Sequence, residues 1–94
     1  MVKHIVMWEF MPGKEKEARE FLDKLRGLYG QIDVLRSAEV AENAAPGNDC
    51  SAVLIATFDS YADLEAYKTD PRHVAVSSLC KSIRVARHAV DYEF

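Results

Sequence analysis

Cysteine is scarce in this chain: two in 94 residues, Cys50 and Cys80, with no CxxC spacing between them. That weakens both a disulfide framework and a structural zinc site, and reads as two small buried hydrophobes. Glycine is equally sparse: four, all isolated, so no glycine-rich loop is available to cradle a phosphate. No apolar run approaches the roughly 18 residues that cross a bilayer, so no membrane span is expected. No excess of positive charge exists, since 15 acidic residues outweigh 12 basic ones for a net charge of −3. Without a basic field, nucleic acid is an improbable partner. No repeat, low-complexity tract or cleavable leader interrupts the chain, and the absence of a targeting segment points to the cytoplasm.

What is present is apolar and aromatic content: 49% hydrophobic and 10% aromatic residues, enough to exclude disorder. The length fits one domain over residues 1–94. So short a chain keeps roughly a third or more of its unfolded surface exposed after folding. Disulfides, a metal or a partner subunit can make up the deficit. With the first two weakly supported, oligomerisation remains.

Six elements can be read, the last helix being broken. Val2 to Met11 is rich in β-branched and aromatic residues and predicts a strand. One face carries His4, Val6, Trp8 and Phe10; the other carries Ile5, Met7 and Met11 with Lys3 and Glu9. Both faces are largely apolar, which predicts a sheet covered on both sides. After Pro12-Gly13 a helix is expected from about Lys14 to Tyr29. Its apolar stripe is Ala18, Phe21, Leu22, Leu25, Leu28 and Tyr29, with Gly30 at the left-handed C′ position. Val34 to Asn43 predicts a half-exposed strand, and Ala52 to Phe58 an apolar central one. Ser60 to Asp63 has the form of a capping box before a short helix to Lys68. Asp70-Pro71, a cap followed by proline at the first helical position, restarts the helix to Lys81. Ile83 to Tyr92 is the last strand.

The order β-α-β-β-α-β predicts an α+β, ferredoxin-like subunit: a four-stranded antiparallel sheet with helices on one face. The other face is open in a monomer. A second copy laid over it would make a homodimer and a dimeric α/β barrel.

The densest chemical cluster is Tyr67-Lys68-Thr69-Asp70-Pro71-Arg72-His73. Tyr67 shares the core-facing stripe of Leu64, so its hydroxyl points inward and needs a partner. His73 follows the helix break, and His4 lies on the Trp8 face of the first strand. An imidazole that titrates near neutrality and a buried phenol together suit proton abstraction beside a carbonyl. The plainer account, favoured by the residues alone, makes Tyr67 a core aromatic and His73 part of a helix start. His4, His73 and His88 lie on three separate elements without i, i+4 spacing, so no metal site is expected. Ser77 has no evident base to activate it. Arg84 and Arg87 with Arg72 could meet an anion, although solvation at a rim is the more ordinary role.

Several segments together resemble the stress-responsive dimeric A/B barrel (Dabb) domain family. They are Val2-Lys3-His4-Ile5-Val6-Met7-Trp8-Glu9-Phe10, Phe58-Asp59-Ser60 leading into Asp63-Leu64-Glu65-Ala66-Tyr67, Asp70-Pro71-Arg72-His73-Val74 and Val90-Asp91-Tyr92-Glu93-Phe94. The resemblance spans nearly the whole chain and implies a small dimeric protein of undefined biochemical role. It would bind a small apolar or β-dicarbonyl ligand in a pocket lined by His4, Val6 and Trp8. The family also contains plant enzymes of the olivetolic acid cyclase type, which close poly-β-keto chains by aldol condensation without cofactor or metal. By that likeness His73 would be the base, Tyr67 the hydrogen-bond donor to the substrate carbonyl, and a cyclase-like or isomerase-like activity the alternative function. Asp70 stands where the cyclase has a second histidine, and Trp8 where it has a smaller aliphatic residue.

Overall fold

A computed structural model describes residues 1–94. The elements, in order, are β1 (Val2–Phe10), α1 (Glu15–Arg26), β2 (Ser37–Glu42), β3 (Ala52–Phe58), α2 (Tyr61–Thr69), α3 (Pro71–Lys81) and β4 (Arg84–Glu93). The four strands form one antiparallel sheet in the order β2-β3-β1-β4, the ferredoxin-like arrangement expected. No helix is long and apolar enough to cross a membrane.

Alternation along the strands sorts the two faces. Val2, His4, Val6 and Trp8 of β1 and Ala52, Leu54, Ala56 and Phe58 of β3 are buried beneath the helices. The α1 stripe of Ala18, Phe21, Leu22 and Leu25 closes over them, with Leu64, Tyr67 and Cys80 from the second helical segment. Phe58 is fully buried and lies 5.1 Å, ring centre to ring centre, from Tyr67. The opposite face carries Ile5, Met7, Val53, Ile55, Val90 and Tyr92, which the register brings side by side. Met7, Val90 and Tyr92 are exposed there. Within one chain, only the helix-facing side of the sheet is covered.

Three expectations need correction. First, α1 ends at Arg26 rather than Tyr29. Gly27 caps it, and tight turns follow in which Gly30 takes a positive φ of 91° and reverses the chain. Leu28, Ile32 and Leu35 still reach the core from these turns, but Tyr29 is 57% exposed. The apolar spacing therefore continued past the helix itself. Second, β2 starts at Ser37, because the turns extend through Val34. Third, only Cys80 is a buried small hydrophobe; Cys50, at the end of the β2–β3 connection, is half-exposed. Both thiols are free.

The break between α2 and α3 forms as the residues dictate. Ser60 Oγ accepts from the Asp63 amide at 3.2 Å and caps α2. Asp70 caps α3: its carboxylate takes the Arg72 amide at 2.9 Å and pairs with the Arg72 guanidinium at 2.8 Å. These contacts hold the Asp70 carboxyl down at about 2.

Phe58→Ala should destabilise the protein by about 3–5 kcal/mol, the usual range for emptying a fully buried phenylalanine site. Urea unfolding at neutral pH measures it; a loss under about 1 kcal/mol would contradict the close packing of Phe58 on Tyr67.

Candidate functional site

β1 and the helix break converge on one point between sheet and helices. A small cavity of about 50 Å³ lies there, lined by His4, Val6 and Trp8 of β1, His73, Ser77 and Cys80 of α3, and Arg84 and Arg87 of β4, closed by Phe21, Leu25 and Leu54. One water needs about 10–15 Å³ by the same kind of measure, so the space suits a few heavy atoms rather than a long chain. His4, Val6, Trp8 and His73 thus line one cavity. Tyr67 is not on the cavity wall. It stands behind it, its ring 4.3 Å from that of His73 and tilted by 45°.

Trp8 packs edge-on against Phe21, ring centres 5.3 Å apart, and beside Phe10. It narrows the cavity from the α1 side and leaves His73 and Tyr67 to pair with each other.

Each histidine is held by its Nδ1. In His73, Nδ1 lies 3.1 Å from the Lys68 carbonyl oxygen. A carbonyl can only accept, so Nδ1 carries the proton and Nε2 keeps a lone pair. In an unbroken helix that carbonyl would take the amide of residue 72. Here the Arg72 amide is bound to Asp70, and the carbonyl is left for the imidazole. In His4, Nδ1 donates to the Asp91 carboxylate across the β1–β4 register. Asp91 also faces the Lys68 ammonium at 3.8 Å. Neither Nε2 has a protein partner.

Burial is the main cause lowering the pKa of both histidines. In His4 the Asp91 hydrogen bond and charge oppose it; in His73 the Lys68 carbonyl does. Arg87 pushes both downward by like-charge repulsion with the imidazolium form. Both rings are neutral at pH 7 and can accept a proton. Burial raises the Tyr67 phenol, which stays protonated as a donor. No protein group hydrogen-bonds that hydroxyl, yet no fully buried polar side-chain atom lacks a partner, so the oxygen must reach accessible space.

Asp91, Arg84 and Arg87 were not assigned to the site from the sequence. Period-two alternation through β4 holds the signal for Arg87 and Asp91, which oppose Trp8 and His4. The register that pairs them is a long-range fact. No cluster of His, Cys, Asp or Glu is arranged to hold a metal. A larger concavity of about 400 Å³ lies by the β2–β3 connection, lined by Met7, Asn43, Asn48, Asp49, Cys50 and Val53 among others. Its titratable groups are Glu42, Asp49 and Cys50, and no histidine or tyrosine lines it.

The fold and this sheet–helix pocket define a ferredoxin-like α+β domain of the kind that forms dimeric barrels. The stress responsive A/B barrel domain (Dabb) model matches residues 2–94, and the chain belongs to that family. A dimeric ferredoxin-like protein of unknown function from Bacteroides fragilis is 32% identical, with a TM-score of 0.86 over 99% of this chain and 95% of its own. A Dabb family protein from Mesorhizobium loti is 20% identical, with a TM-score of 0.82 over 99% and 95%. A hydroxynitrile lyase from Passiflora edulis, 14% identical, has a TM-score of 0.85 over 97% and 90%. At those last two identities the likeness is one of fold. Comparison with curated proteins finds no match.

Nitrogen NMR of the imidazoles should show His4 and His73 as the Nδ1–H tautomer at pH 7.5. The unfolded chain takes up these protons near pH 6.5, the folded protein only lower. Stability should therefore fall as pH drops below about 6.5. An Nε2–H signal for His73 would contradict its bond to Lys68.

Proposed function

We propose that this chain is one half of a homodimer that binds a small carbonyl compound between its sheet and its helices. The observation that carries the reading is a cavity of about 50 Å³ whose wall sets two neutral imidazoles, His4 and His73, with Nε2 lone pairs that can accept from an enol hydroxyl or an acidic C–H, beside Arg84 and Arg87, which can donate to a carbonyl oxygen. Val6 and Trp8 supply the apolar wall against which a short carbon skeleton lies. Two free thiols accord with the cytoplasm, where cysteines stay reduced.

The second copy covers the open sheet face. Ile5, Met7, Val53, Ile55, Val90 and Tyr92 give that face an apolar strip. The relative from Bacteroides fragilis is itself dimeric. A 94-residue chain gains from such a partner the buried surface that it cannot supply alone.

The His4–Asp91 hydrogen bond favours a second reading, cofactor-independent proton transfer. His73 Nε2 would remove a proton from the carbon beside the carbonyl. The electron pair would move onto the carbonyl oxygen, which the Arg84 and Arg87 guanidinium groups of the same wall can stabilise, while Tyr67 backs the His73 ring from behind. His4 Nε2, with its Nδ1 held by Asp91, would accept from the enol hydroxyl at the other end of the substrate. Return of the proton by His73 to a different carbon would complete an isomerisation; in a cyclisation the enolate carbon would attack a second carbonyl of the same chain, and the alkoxide formed would take the proton back from His73.

Pentane-2,4-dione, a small neutral β-dicarbonyl, tests the pocket. It should shift the NMR signals of Val6, Trp8 and His73, and His73→Ala should abolish the shifts; an unchanged spectrum would overturn the reading. In D2O the protein should speed exchange of the central protons, with His73→Ala reducing the effect about 100-fold. Exchange at the buffer rate would remove the enzymatic reading and leave the binding one. For the dimer, Ile55→Asp should give a folded monomer by sedimentation at micromolar concentration, where the parent sediments as a dimer. A parent monomer would refute the second copy.

A further inference from the structure

Four of the six arginines have a carboxylate within 4 Å: Arg19 with Glu42, Arg26 with Asp23, Arg36 with Asp59 and Arg72 with Asp70. The two that do not are Arg84 and Arg87, and both line the cavity. In a chain with net charge −3 this is a local reversal of sign. The neighbouring charges do not cancel it. His4 and His73 are neutral, and Asp91, on the same side of β4 as Arg87, is occupied by His4 and Lys68. Ser77 adds a hydroxyl on the same wall, although it donates to the Val74 carbonyl at 3.2 Å.

The register decides which side these charges serve. Arg87 opposes Trp8 and shares the helix-facing side with Asp91. The residues between them in β4, His88 and Val90, face the other way. Arg87 therefore does not point at the open face, and a second copy laid there would not neutralise it.

We infer that the ligand is an anion, a small acid that carries a carbonyl, with its carboxylate held by Arg87 and Arg84 and the carbon beside its carbonyl turned toward the Nε2 lone pair of His73. This rests on the reading of the cavity as a carbonyl-binding pocket and narrows its substrate class. A guanidinium offers two parallel N–H donors that match a carboxylate, and its charge persists at every working pH. Arg84 is half-buried and Arg87 exposed, so water can solvate both; a carboxylate adds a charge-assisted pair that a neutral ligand lacks, and a cation would meet like charge. The small volume limits the carbon skeleton between the two ends to a few atoms. The ligand class that satisfies size, charge and carbonyl together is a short keto acid.

The test compares two probes of nearly equal size, acetoacetate and pentane-2,4-dione, by NMR titration at pH 7.5 on the intact protein. Acetoacetate should bind more tightly, and 0.5 M sodium chloride should weaken it alone. Arg87→Gln should weaken acetoacetate roughly tenfold, as expected for losing a charge-assisted hydrogen bond, and weaken pentane-2,4-dione by much less. Arg87→Lys should restore part of the loss, which a merely misfolded variant would not. Equal affinity for the two probes, or an equal loss of both in Arg87→Gln, would overturn the anion and leave the carbonyl pocket standing. Binding of neither probe would overturn both.

Discussion

Everything in this molecule hangs on the alternation of side chains along β1. Successive residues of a strand point to opposite sides. In β1 both sides matter: His4, Val6 and Trp8 face the helices, and Ile5 and Met7 face outward. The strand is central, with β3 on one flank and β4 on the other, so this division is imposed on its neighbours through their pairing. Opposite His4 the register puts Asp91, and opposite Trp8 it puts Arg87. A slip of one residue would turn the imidazole, the indole and the carboxylate out of the interior together. Pocket and outer apolar strip are therefore two readings of one strand.

That division also explains what was legible beforehand. The ends of β3 and α3 follow from local chemistry: an uninterrupted apolar run for the first, and the Asp70-Pro71 start for the second. Serine at 60 and aspartate at 70 act as the caps their side chains suit. The end of α1 was less legible because Leu28 keeps the helical spacing while the backbone has already left the helix; tertiary packing, not periodicity, places it in the core. The site was half legible. His4, Val6, Trp8 and His73 do line one cavity, while Tyr67 stands behind His73 rather than on the wall. The β4 contribution depends on a pairing of residues 87 apart in sequence, as in His4 with Asp91, and no local pattern encodes such a pairing.

The electrostatic character of the pocket comes from burial more than from its formal charges. Burial keeps both imidazoles neutral, so the wall offers two acceptors, and keeps the Tyr67 phenol behind it protonated. Positive charge then enters only through guanidinium groups, which no ordinary burial discharges. Such a wall separates two tasks: proton uptake by neutral bases and attraction of charge by permanent cations.

The Lys68 carbonyl has one further consequence. It is free to hold His73 only because Pro71 and Asp70 stop one helix and start the next. The ring's protonated nitrogen is thus selected by main-chain atoms. No side-chain replacement at position 68 can remove that acceptor, so drift at this half-buried lysine leaves the His73 tautomer intact. Evolution can rewrite the surface over the pocket while the orientation of its base is inherited with the backbone.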